Sequence, residues 1–96
     1  MRAFQNGWIV RVGAGVNYGT GASSIQLSTW DYATDDDKAA IETAGHFNGL
    51  VKEMKVGDVI QVRADLNGTP KLYHYLVVSN TGTVVGIALS VATAAV

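Results

Sequence analysis

Two histidines, His46 and His74, and eight carboxylates, six of them aspartates, are the side chains of this chain suited to acid–base or metal chemistry. A hydrolytic site would add a Ser or Cys nucleophile beside an imidazole and a carboxylate behind it. Cysteine is absent, and no serine sits in a Gly-x-Ser-x-Gly elbow. His74 lies between Tyr73 and Tyr75, the pattern of a histidine on the solvent or interface face of a sheet; a small enzyme would have to join it to Asp58 or Asp65 in a cleft. Asp35, Asp36 and Asp37 are consecutive, whereas calcium loops alternate ligands with spacers and close on a distal Glu. Their placement after Thr34 fits a helix N-terminus instead, where carboxylates cap free N–H groups and oppose the helix dipole. Gly13-x-Gly15-x-x-Tyr18 lacks the third glycine and the following helix of a dinucleotide loop. The residues therefore carry no catalytic, metal or cofactor assignment. Trp8, Tyr18, Trp30 and Tyr32 are the aromatics able to line a sugar-binding platform, but Trp30 and Tyr32 share one strand face and read first as core or subunit interface.

The elements that must position these residues are mostly strands. Trp8–Val12 is aromatic and β-branched, and Ile25–Trp30 alternates apolar with polar. Between them, residues 13–24 hold four glycines and no charge, the composition of a long loop. Thr34 as N-cap, the three aspartates and a closing Gly45 predict a short helix at about 35–44, with Ala40 and Ile41 inward and Phe47 anchoring the exit. Val59–Ala64 is a strand with Val59 facing away from Ile60 and Val62. Asn67-Gly68 predicts a type I′ turn before the returning strand 72–79. Asn67-Gly68-Thr69 also fits a glycosylation acceptor, but Pro70 follows directly and the turn reading is preferred. A turn at Ser79–Gly82 leads into a third strand from Thr83 to about Val91, which completes a meander. These signals predict a mainly β fold, a small antiparallel β-sandwich or barrel with one short helix.

Ninety-six residues make one domain, residues 1–96, with an N-terminal arm at 1–7 and an apolar tail at 92–96. Only 16% of the residues are charged, against roughly 25% in a usual globular chain. Residues 12–30 and 72–96 carry no Asp, Glu, Lys or Arg at all. Such stretches suit surfaces covered by other chains, and without cysteines oligomerisation is the available supplement to a small core. A net charge of −1 gives no basic field for nucleic acid. No apolar run reaches the ~20 residues of a membrane span, and the opening residues lack the apolar stretch of a signal peptide, so the chain reads as a cytoplasmic gene product.

The run from Trp30 to Asn48, then Val56-Gly57-Asp58-Val59-Ile60, then a short hairpin and Tyr75–Gly82 together resemble small head proteins of tailed bacteriophages. The resemblance covers about residues 30–85; His46 stands where a Tyr is common, and residues 1–24 lie outside it. It implies a capsid decoration (cement) protein, a non-enzymatic β-rich module on the outer surface of the virion. Such a module binds the major capsid protein and stabilises contacts between capsomers, as a trimer. Phe4, Trp8, Tyr18, Trp30, Tyr32 and Val96 are the candidate interface residues, and segments 1–7, 13–24 and 92–96 the candidate contact regions. A carbohydrate-binding or host-attachment module is the alternative; it would require an exposed Trp8 or Trp30 beside Asn or Asp.

Overall fold

The computed structural model describes residues 1–13, 17–19, 21 and 25–89, with residues 13, 17, 18, 25 and 26 described by backbone alone. The fold is mainly β. Strands β1 (Arg2–Phe4), β2 (Gly7–Gly13), β5 (Thr29–Thr34), β6 (Val59–Ala64), β7 (Lys71–Asn80) and β8 (Val85–Leu89) form one six-stranded sheet in the order β1-β2-β5-β6-β7-β8. β3 (Asn17–Tyr18) and β4 (Ile25–Gln26) pair separately. All pairs are antiparallel except β5–β6. The sheet is thus mixed, which corrects the wholly antiparallel expectation. A parallel pair cannot be closed by a tight turn and needs a long crossover, and the chain between Thr34 and Val59 supplies it.

That crossover holds helix α1 (Lys38–Ile41) and a 3-10 turn at Asn48–Leu50, and it covers one face of the sheet. Ile41, Phe47, Leu50 and Met54 from the crossover join Ile9, Trp30, Tyr32, Ile60, Val62, Ala64, Tyr75, Val77 and Val85 from the strands in one core. The strand contributors recur at every second residue, as a pleated sheet with one buried face requires. Asn80 fastens the crossover by donating Nδ2 to the carbonyls of Val51 and Met54 (2.8 and 2.7 Å).

The helix is four residues long, not the ten of 35–44. Asp37 is its N-cap and accepts from the Ala40 N–H at 2.9 Å, while Thr34 is buried at the end of β5. The first two aspartates are engaged before the helix begins. Asp35 N–H reaches the Asn6 carbonyl, Asp36 N–H reaches Thr34 Oγ1, and the Asp36 carboxylate accepts from Asn6 Nδ2. At the other end Thr43 Oγ1 bonds back to the Ala39 carbonyl, a side-chain contact that competes with helix continuation, and Gly45 turns at positive φ.

β6 covers the expected residues, and Val59 is 37% exposed against fully buried Ile60 and Val62. The β6–β7 connection is not a type I′ turn: positive φ falls on Asp65, whose carbonyl accepts from Gly68 N–H at 3.0 Å. The wider loop places Pro70, which has no N–H to give, outside the ladder that resumes at Ala64–Lys71.

Gly7 marks a close backbone approach in the sheet. A Cβ there would collide with the Ala33 carbonyl and come within 2.6 Å of the Thr34 Cα. Gly7→Ala should therefore destabilise the chain by about 1–3 kcal/mol, the range for forced overpacking. Urea denaturation checks this, with Gly82→Ala, whose added methyl meets nothing within 4 Å, separating steric from conformational cost.

Candidate interaction face

The sheet face turned away from the crossover carries the surface with the most unusual chemistry. Register aligns three rows across it. Trp8, Ala33, Arg63 and Leu72 form the first, Val10, Asp31, Gln61 and His74 the second, and Thr29, Val59, Leu76 and Ala88 the third. Trp8 is 57% exposed, Leu72 54%, Val78 48% and Leu76 41%. Apolar side chains thus lie on both sides of the polar second row, and Arg63 of the first row places Nη1 3.4 Å from Asp31 Oδ1 of the second. Asp31 Oδ1 is itself shielded from solvent and makes no hydrogen bond. Trp8, Asp31 and Arg63 border a small recess of about 180 Å3. Scattered exposed apolar residues are ordinary, whereas clustered ones on one regular face mark a surface that meets something.

The aromatic candidates separate sharply. Trp30 and Tyr32 are buried, and Trp30 donates Nε1 to Asp58 at 3.0 Å. Phe4 is half-buried, stacked on Phe47 with centroids 5.6 Å apart and edge-on to Tyr32 and His46. These three are packing residues of the covered face. Trp8 alone of the described aromatic candidates lies on the open face. Tyr18 sits in β3 opposite Ile25, its side chain being outside the described part, as are Val96, the 92–96 tail and most of the 13–24 stretch. Residues 2–4 are in register with β2 as edge strand β1.

His74 and the aspartates named with it are not assembled. His74 is on the open face, opposite Gln61. The Asp58 carboxylate is buried, accepting from Ser28 N–H, Trp30 Nε1 and Lys55 N–H. Asp65 is committed to its loop, accepting from Thr69 N–H. Among the described residues no group of three or more His, Asp and Glu side chains is placed to hold a metal ion, and no helix is long and apolar enough to cross a membrane.

A feature with no signature in the sequence is a groove of about 650 Å3 at the β2 side of the covered face. It gathers Arg2, Arg11, Lys52 and Lys55 around Ile9 and Trp30, with Glu53 paired to Arg2. The arginines come from the β1–β2 hairpin and the lysines from the crossover, segments distant in sequence that only the fold brings together.

Comparison with known proteins returns no matching family model, no matching curated protein and no matching solved structure.

His46 is a half-buried titratable group on the covered side of the sheet. Its Nε2 is 3.0 Å from the Tyr32 hydroxyl, and its ring packs against Phe4, Tyr32 and Phe47. Burial pushes the imidazole below its usual value, opposed by the Asp36 carboxylate and by a backbone hydrogen bond with Ala40. The unfolded chain then binds the proton more readily than the folded one, so stability is present above the ordinary His value near ~6.5 and is lost as pH falls through the lower folded value. Urea midpoints at pH 7.5 and 5.5 should show this loss in the native chain and a smaller one in His46→Gln.

Proposed function

We propose that this chain is a structural binding protein that works through the open face of its sheet, and that its partner is the outer surface of an assembled phage capsid. The observation that carries the binding reading is the set of exposed apolar side chains in two rows, Trp8 with Leu72 and Val59 with Leu76, on a regular sheet. A flat array of this kind is suited to protein contact: apolar anchors supply area, and the central Asp31–Arg63 pair supplies register. The identity of the partner rests on the resemblance of residues 30–85 to phage head proteins. A shell offers the same site many times, so modest contacts at each copy hold a decoration protein firmly in place when copies are linked. In this reading the protein stabilises contacts between capsomers and carries out no chemistry.

The carbohydrate reading keeps one specific observation in its favour, since exposed Trp8 stands beside Asp31 and Arg63 around the small recess. Trp30 does not contribute to it, being 3% exposed.

Sedimentation with preformed capsid shells discriminates between the two. The native chain should pellet with shells. Leu72→Glu and Leu76→Glu should each reduce the bound fraction at least tenfold without lowering the thermal midpoint, because both side chains are exposed. A chain that ignores shells, while a glycan array labels it in a Trp8-dependent way, would overturn the capsid reading.

A further inference from the structure

The two edges of the six-stranded sheet are unequal. β1 is three residues long and carries Arg2, features that blunt an edge against pairing. β8 is Val-Gly-Ile-Ala-Leu, without the charge or proline that guards many edges, and among the described residues no strand pairs on its far side. Alternate residues of an edge strand turn their backbone groups away from the neighbouring strand. Val77, the residue opposite Ile87, directs both its backbone groups toward the β6 side, donating its N–H to the Asp58 carbonyl at 2.9 Å and accepting from Gly57 N–H at 2.8 Å. In an antiparallel ladder a residue opposite such a position turns its own N–H and C=O outward. Ile87 therefore presents a donor and an acceptor on the side of β8 away from β7, where no described strand lies. Val85, two residues earlier and on the same side by alternation, gives its N–H to Asn48 Oδ1 at 3.1 Å, so the first outward group of the edge is capped from the crossover.

We infer that β8 is a self-association edge, on which the β8 strand of a second copy of this chain adds antiparallel across a two-fold axis centred near Ile87. Symmetry favours a second copy as the occupant. An isologous contact sets each residue against the same strand of its copy, so a charged edge would face its own charge, and like charges opposite one another are unfavourable. An uncharged strand escapes that penalty. Centring on Ile87 places Gly86 opposite Ala88, small with small, and ends the pairing at Val85 opposite Leu89, where the Val85 N–H stays with Asn48 and only its carbonyl is left to accept from the copy. On the open face it brings Ala88, Leu76 and Val78 of both copies into one apolar stripe, which extends the face described above. This pairing makes an even-numbered assembly, in place of the trimer that the phage resemblance implies, and it does not depend on any capsid partner.

Sedimentation velocity over a concentration series tests it. The native chain should run as a dimer. Ala88→Lys, at an exposed position that leaves the β7 ladder intact, should weaken the dimer at least tenfold with far-ultraviolet circular dichroism unchanged. Hydrogen exchange gives a second reading on the native chain alone: the Ile87 amide should be protected in the dimer and lose that protection on dilution. A native chain that is monomeric or trimeric throughout, or an Ile87 amide whose exchange is independent of concentration, would overturn the inference.

Discussion

The buried carboxylate of Asp58 is the constraint around which this fold is arranged. It is 1% exposed and takes three N–H donors. Ser28 N–H binds Oδ1 at 2.9 Å, while Trp30 Nε1 and Lys55 N–H bind Oδ2 at 3.0 Å each. The same residue's carbonyl accepts from Val77 N–H, and the next residue, Val59, donates its N–H to the Ser28 carbonyl. One short segment thereby joins the start of β5, the end of the crossover, the start of β6 and the middle of β7. Removing a buried carboxylate from such a set leaves donors without acceptors, which is more costly than the bonds are favourable.

The division between the faces follows from that junction. With β5 and β6 locked in parallel, the connection between them must cross the sheet, and its apolar residues Ile41, Phe47, Leu50 and Met54 bury one face. The opposite face receives no such cover among the described residues. Its apolar rows are therefore available for recognition while the covered face supplies stability. Substitutions on the two faces should separate binding from folding, which makes the proposed role accessible to experiment. The β8 edge is linked to the same junction, because the segment Gly57-Asp58 draws both Val77 backbone groups inward and leaves Ile87 facing out.

Strand identity was legible where β-branched residues alternate. Val59–Ala64 shows it residue for residue, and Leu72–Ser79 lies within β7. The parallel pairing was not legible, because periodicity reports which face a residue takes and not which strand lies beside it. The helix was overestimated because Thr34 and the aspartates have cap chemistry, but Asn6 and the β1–β2 turn claim Asp35 and Asp36 first. Local pattern could not reveal a partner thirty residues away. The open face was half visible: Trp8 stood out as an aromatic, whereas Leu72 and Leu76 alternate with Tyr73 and Tyr75 in a run that is apolar on both sides. The Asp58 hub carried a weaker signal still. Its Gly-Asp turn was apparent, but its link to Ser28 and Trp30 exists only once β5 and β6 are side by side.

Equilibrium urea unfolding of Asp58→Asn against the native chain tests this account most directly. Both carboxylate oxygens act as acceptors, so an amide of the same shape must turn its NH2 toward at least one donor in either orientation. The account predicts a loss of about 2–3 kcal/mol, the cost of a buried polar mismatch. A change within about 0.5 kcal/mol, the scatter of ordinary surface substitutions, would contradict it.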